Sequence, residues 1–157
     1  MALGAGAAGA AEAVARLGEA SVRYDDARWQ VQAKAASLRF EPHGAGTQRM
    51  DAVTVVLDQA DEPCDERAAR AFQLGAYDLG SIKTAPVRIG GIDGVRLAAH
   101  TRCRNATPMG VVACVRVKKR IYLVQALQPG CRGRNLFSRV DPIAEIADGI
   151  RFDGAPR

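Results

Sequence analysis

The segment PVRIGGIDGVRLAAHTRCRNATPMGVVACVRVKKRIYLVQAL, residues 86–127, decides the fold of this chain. From Val95 to Arg104, apolar side chains alternate with polar or small ones, and this period of two predicts a β-strand with one dry face. Residues 86–94 lead into it and are predicted as a short strand and a turn, because their three glycines supply the positive φ angles that tight turns need. The segment therefore begins as a meander of antiparallel strands.

Two apolar runs, residues 111–117 and 121–127, follow and are predicted as the next two strands. The basic residues Lys118, Lys119 and Arg120 lie between them and are predicted as a hairpin loop. The register that this loop implies pairs Val117 with Ile121, Val115 with Leu123 and Val111 with Leu127. Both faces of the hairpin are then mostly apolar, as in strands that are covered on both sides. We predict an α+β protein, a single domain in which an antiparallel β-sheet is flanked by helices.

Length and composition agree with one globular domain. The chain has 157 residues, of which 48% are hydrophobic and 25% charged, so it can bury a core of its own. No run approaches the ~20 apolar residues that a transmembrane helix needs. We predict an Ala/Gly-rich N-terminal segment at 1–19, the domain at 20–152 and a tail at 153–157.

The first residues of the chain allow three interpretations. Residues 1–13 are almost entirely alanine and glycine. They are a poorly ordered start, a weak helix, or the remnant of a secretory signal, since residues 11–13 have the small-x-small form of a cleavage site. From Glu12, a short helix is predicted with Val14 and Leu17 facing inward and Gly18 ending it.

The remaining elements are predicted from shorter patterns. Strands are predicted at residues 21–25, 28–31, 37–40 and 52–59. A helix is expected after Pro63, capped by Asp61 or Asp65, with Arg67 and Arg70 facing outward. The pair Asp141-Pro142 begins a closing helix, and residues 150–152 follow as a short edge segment.

The order of these elements resembles a known family. It includes a strand pair with an aspartate turn and a tryptophan, the hairpin Val-x-Ile-Gly-Gly-Ile-Asp-Gly at 87–94, strands that reach Ile-Tyr-Leu-Val at 121–124, and a closing helix with Ile-x-x-Ile at 143–146. Over roughly residues 20–152, this order is similar to the PsbP-like and DcrB-like α/β/α sandwich family. The resemblance implies a non-enzymatic binding or accessory domain, and it implies no catalytic residues.

The four cysteines are informative about the cellular compartment in which the protein works. Cys103 and Cys131 lie at the same end of the predicted meander, so we predict a disulfide between them and an oxidising compartment, periplasmic or extracellular. Cys114 lies mid-strand and is interpreted as a small buried hydrophobe. The alternative is four reduced cysteines in a cytoplasmic protein. No metal site is predicted, because the spacing is not Cys-x-x-Cys and the chain has only two histidines.

The charge pattern is the most informative chemical feature. Residues 94–140 contain no aspartate or glutamate but ten lysines and arginines, in a chain of net charge +5. An anion-binding patch is predicted from Arg102, Arg104, Arg132 and Arg134, and a basic hairpin tip from Lys118, Lys119 and Arg120. Arginine suits carboxylates and phosphates, so the predicted partner is a protein or a small anionic ligand. The alternative is a solvated face without a partner.

Other functions have less support in the sequence. Nucleic acid is disfavoured as a partner, because Tyr122 alone is interleaved with the basic residues and stacking platforms need several aromatics. A small hydrolase-like enzyme would need a cleft at His100, but no nucleophile or acid lies near it in sequence. No cofactor is predicted. The sequence favours a non-enzymatic, exported accessory or binding protein that engages an anionic partner through a basic surface.

Overall fold

The computed structural model describes residues 12–43, 52–102, 109–127 and 143–154. Its strands are β1 (Glu12–Leu17), β2 (Ala20–Asp25), β3 (Trp29–Lys34), β4 (Ser37–Pro42), β5 (Val53–Asp58), β6 (Lys83–Ile89), β7 (Ile92–His100), β8 (Met109–Val117), β9 (Arg120–Ala126) and β10 (Ile150–Phe152). Its helices are α1 (Cys64–Ala71) and α2 (Ala144–Asp148), with short 3₁₀ turns at Phe72–Leu74 and Leu79–Ser81.

A large antiparallel sheet forms the middle layer. Its strand order is β3-β4-β5-β9-β8-β7-β6, and every neighbouring pair is antiparallel. Helix α1 packs on β7 and β8 from one side. A small sheet, β1-β2-β10, and helix α2 cover the other side and share one core with the large sheet. The predicted α+β fold is confirmed, and one of its outer layers contains strands as well as a helix.

The central hairpin has the predicted strands but a different register. Val117 pairs with Arg120, Val115 with Tyr122 and Val111 with Ala126, so the predicted pairs are wrong by one residue. The turn contains only Lys118 and Lys119, and Lys118 takes a positive φ of 57°. Two-residue turns of this kind match the twist of the flanking strands better than a three-residue loop does. Consequently Arg120 is the first residue of β9.

The segment from Glu12 to Leu17 is a strand, and the predicted helix is wrong. It pairs with β2 along its whole length, from Glu12 opposite Asp25 to Leu17 opposite Ala20. Leu17 is buried as predicted, but Val14 is 56% exposed. Pairing with a neighbouring strand satisfies the backbone and overrides the modest helix preference of an Ala-containing segment. The signal-peptide interpretation concerns residues 1–13. Of these, 1–11 lie outside the described residues, and Glu12 and Ala13 begin β1.

A disulfide joins helix α1 to the large sheet. Cys64, the first residue of α1, is bonded to Cys114 in the middle of β8, with 5.6 Å between their Cα atoms. The interpretation of Cys114 as a simple buried hydrophobe is therefore wrong. The predicted partners Cys103 and Cys131 both lie outside the described residues, so that bridge stays a prediction.

The start of α1 also differs from the expected cap. Pro63 is the cap residue and offers no side-chain acceptor, while Asp65 in the first turn accepts a hydrogen bond from the backbone N of Glu66 at 3.0 Å. The strands predicted around residues 21–59 and the edge strand β10 are present. Within the described residues, neither helix is long and apolar enough to span a bilayer.

Candidate ligand-binding cleft

The structure describes one member of the predicted arginine patch. Arg102 follows β7 and is exposed, and its backbone N donates a hydrogen bond to the carbonyl oxygen of Ala76 at 2.7 Å. Arg104, Arg132 and Arg134 lie outside the described residues. The grouping of these four arginines therefore stays a prediction.

The basic hairpin tip lies at the other end of the sheet. Lys118 Nζ donates a hydrogen bond to Glu19 Oε1 at 2.8 Å, and this contact raises the pKa of Lys118 above its ordinary value. Lys119 is exposed and Arg120 is half-buried. Glu19 therefore offsets part of the positive charge of the hairpin tip, and anion binding at this tip stays a prediction.

Within the described residues, His100 is held through its backbone. Its backbone N donates to Ser81 Oγ at 2.9 Å, and its carbonyl oxygen accepts from the backbone N of Asp78 at 2.8 Å. The imidazole is exposed. Among the residues that the structure describes, no carboxylate or thiol is hydrogen-bonded to this ring.

A cleft that the sequence did not predict opens beside helix α1. Arg39 of β4 pairs with Thr54 of β5, and Thr54 pairs with Gln125 of β9, so three polar residues form one row across adjoining strands. Helix α1 covers β7 and β8 and leaves this row accessible from one side. The resulting cleft has a volume of about 380 Å³. That volume is typical of small-molecule sites.

Arg39 is held in place by a buried carboxylate. Its Nε donates a hydrogen bond to Glu41 Oε1 at 2.7 Å. Glu41 is only 3% exposed and also accepts a long hydrogen bond from Gln30 Nε2, at 3.4 Å. A guanidinium carries five N–H donors, so anchoring through one nitrogen leaves others to bind a ligand.

Arg67 contributes a second anchored guanidinium. Its Nε donates to Asp58 Oδ2 at 2.7 Å, and its side chain is only 16% exposed. The prediction that Arg67 faces outward is therefore wrong, whereas Arg70 does face outward and pairs with Glu62. The hydrogen bond from Arg67 lowers the pKa of Asp58 below its ordinary value, although partial burial opposes this effect.

The Asp58–Arg67 pair is expected to make stability depend on pH. Because the folded-state pKa of Asp58 lies below its ordinary value of 3.8, the pair stabilises the fold above that pH, and the contribution is lost as pH falls through the lowered pKa. Asp58→Asn is expected to lower the free energy of unfolding at pH 7 by about 1–3 kcal/mol. It should also reduce the stability loss between pH 5 and pH 2, measured by urea denaturation.

The matched control for this prediction is Asp93→Asn. Asp93 contacts Arg88 at 3.6 Å, but its side chain is 86% exposed, so the change should alter stability by less than about 0.5 kcal/mol. Equal pH profiles for the wild type and Asp58→Asn would show that the pair contributes nothing.

The rest of the cleft lining is apolar. It consists of Ala71, Leu74 and Tyr77 on the helix side, and of Ala52 and Leu127 on the sheet, each two residues along its strand from the polar row. Leu74 is 92% exposed. Tyr77 is fixed by an edge-to-face contact with Phe72, at 5.1 Å between ring centroids, and its ring packs against Gly110, where a Cβ would come within 2.5 Å. The cleft therefore combines anchored cations with a rigid apolar surface.

One signal in the sequence was available for this site. Gln125 interrupts the apolar run of β9, whereas Arg39 follows the ordinary polar-apolar alternation of β4. Polar residues on strands that are otherwise buried on both faces indicate a place where the covering layer is incomplete. Within the described part of the chain, no group of three His, Cys, Asp or Glu residues is placed to hold a metal ion.

Comparison with known proteins identifies the fold. No protein-family model matches the chain, and no curated protein matches it. The solution structure of cyanobacterial PsbP (CyanoP) from Synechocystis sp. PCC 6803 is 8% identical, covers 85% of this chain and 86% of that chain, and superposes with a TM-score of 0.55. The chain has the PsbP-like fold.

A second solved structure matches less well. It is PA94 from Pseudomonas aeruginosa, a protein of unknown function, which is 21% identical, with 73% of this chain and 80% of that chain covered and a TM-score of 0.37. The resemblance to the PsbP-like fold that the sequence indicated is confirmed by the first match. At 8% identity the likeness concerns the fold alone, so function has to be argued from the cleft.

Proposed function

We propose that this protein is an exported, non-enzymatic binding protein that holds a small anionic ligand in the cleft beside helix α1. The observation that carries the proposal is that two guanidinium groups, Arg39 and Arg67, line one cleft and are each anchored by a carboxylate. Pre-oriented arginines are suited to bind carboxylate or phosphate oxygens, because less side-chain freedom is lost on binding.

The remaining polar residues of the cleft support binding. Thr54 and Gln125 lie in the same row as Arg39 and supply neutral hydrogen-bond donors. The carboxylates of Glu41 and Asp58 are engaged in fixing the two arginines. This arrangement favours holding an anion over activating a nucleophile.

The charge distribution supports the same proposal on a larger scale. Residues 94–140 contain ten basic residues and no acidic ones. A field of this sign attracts anions to the surface and raises their local concentration near a binding site. Arg102, Arg104, Arg132 and Arg134 are included in the proposal as a second anionic contact surface.

The disulfide supports export. Bonds such as Cys64–Cys114 persist in oxidising compartments and are rare in cytosolic proteins, where thiols are kept reduced. We therefore propose that the protein works in the periplasm or outside the cell.

Anion binding is tested by titrating the isotope-labelled, oxidised protein with acetate, inorganic phosphate and decanoate, followed by amide chemical shifts. At least one of these anions is expected to shift the amides of Arg39, Thr54 and Gln125. Arg39→Gln should weaken that binding at least tenfold, because a charge-assisted contact is lost. Arg67→Lys should weaken it less, since the charge is kept and only the fork geometry is lost.

Arg70→Gln is the matched control. Arg70 is on the same helix as Arg67 but faces outward, so its removal should leave anion binding unchanged. If none of the three anions shifts the amides of the cleft in the folded protein, the proposed function is wrong. Equal weakening by Arg70→Gln and Arg39→Gln would show a non-specific charge effect and would also contradict it.

A further inference from the structure

The cleft is polar at one end and apolar at the other. Arg67 is hydrogen-bonded to Asp58, the last residue of β5, whereas Ala52 precedes the first residue of that strand. Ala52 and Asp58 are about 20 Å apart along β5, because a strand rises about 3.3 Å per residue. Leu127 lies beyond the end of β9, two residues past Gln125, and therefore beside Ala52.

Helix α1 has the same polarity. Arg67 lies about one turn before Ala71, and Leu74 follows in the 3₁₀ turn. Tyr77 packs on Gly110 at the end of the sheet where Leu127 lies. The helix wall thus changes from basic to apolar along its length. On the sheet wall, the row of Arg39, Thr54 and Gln125 lies between Asp58 and the apolar pair Ala52 and Leu127.

Leu74 presents its whole side chain at the apolar end. Its neighbour Phe72 is completely buried, so the 3₁₀ turn directs one large side chain into the core and the other outward at the cleft. A ligand segment that covers Leu74 would remove apolar surface from water on both sides of the contact. An inorganic anion bound between the arginines would leave this surface exposed.

Building on the proposed function, we infer that the ligand of this cleft is an amphiphilic anion: an acidic head group held in the part of the cleft that Arg39 and Arg67 line, with an aliphatic chain lying on Ala71, Leu74 and Leu127. The head group is a carboxylate or a phosphate, because the guanidinium fork fits either. A free fatty acid and the acidic head of a membrane lipid share this chemistry, and both present the chain that the apolar end accommodates.

The inference is tested by calorimetric titration of the full, oxidised chain with acetate, hexanoate and decanoate, each below its micelle concentration. Affinity is expected to rise with chain length by up to about fourfold for each methylene that becomes buried. Binding of decanoate with no detectable binding of acetate is the strongest supporting result. Comparing the affinities for decyl phosphate and decanoate distinguishes a phosphate from a carboxylate head group. Comparing binding to anionic vesicles with binding to free decanoate distinguishes a membrane lipid from a free fatty acid.

A pair of leucine variants tests where the aliphatic chain of the ligand lies. Leu74→Ser should weaken decanoate binding at least fivefold and leave the binding of phosphate unchanged, since the head-group contacts remain. Leu79→Ser is the control, because Leu79 is also exposed but lies in the other 3₁₀ turn, away from the cleft lining. Both leucines are exposed, so neither change should prevent folding.

The outcomes separate the two proposals. If acetate or phosphate binds at the cleft as tightly as decanoate, the amphiphile is excluded while the anion-binding function stands. If decanoate binds more tightly than acetate and phosphate, but with equal affinity to Leu74→Ser and to the wild type, the aliphatic chain of the ligand does not lie on Leu74 and the inference is wrong. If no anion binds at all, the proposed function fails and the inference fails with it.

Discussion

Replacing the Cys64–Cys114 bridge with alanine and valine is expected to lower the free energy of unfolding by about 4 kcal/mol. The two cysteines are separated by 50 residues, and a cross-link that closes a loop of this length removes about that much chain entropy from the unfolded state. Alanine suits the helical position 64, and valine fills the buried strand position 114, so the double variant removes the covalent bond with little change in packing.

Urea denaturation of the oxidised wild type, the double variant Cys64→Ala/Cys114→Val and the reduced wild type measures this effect. The double variant should unfold at a lower midpoint with a similar slope. Peptide mapping without reduction should recover Cys64 and Cys114 in one linked fragment. A double variant within about 0.5 kcal/mol of the wild type, or free thiols at both positions in protein from its native source, would contradict the assignment and remove the support for export.

Phe72→Ala is expected to lower the free energy of unfolding by about 3–5 kcal/mol. Phe72 is fully buried between helix α1 and the sheet, and its ring also contacts Tyr77 edge to face. Truncation removes the transfer free energy of the ring and leaves a cavity that rigid neighbours fill only in part. The loss of the contact with Tyr77 adds to the cost.

Leu74→Ala is the matched control, because it lies two residues further in the same 3₁₀ turn and is almost fully exposed. It should change stability by less than about 0.5 kcal/mol. Comparable losses for the two variants, measured by urea denaturation followed by circular dichroism, would mean that this turn is not packed as described.

The cleft illustrates why a local pattern was insufficient for the site. Gln125 is visible in the sequence as a polar residue within an apolar strand, and Arg39 as one polar position of an alternating strand, but nothing local to either residue indicates that β4 and β9 flank the same strand. The apolar stripe of the helix predicted that Arg67 faces outward, because helix periodicity alone carries no information about partners elsewhere in the chain. Its actual partner, Asp58, belongs to the preceding strand β5.

The sequence by itself determined the strands from β6 to β9, because their alternation and two-sided apolar character depend only on neighbouring residues. The same runs determined that the sheet is antiparallel and covered on both faces. Only the tertiary structure decided the register at Lys118 and Lys119, the pairing of Cys64 with Cys114 and the convergence of Arg39 with Arg67. Each depends on turn geometry or on contacts between residues distant along the chain, and those are fixed by packing the whole domain.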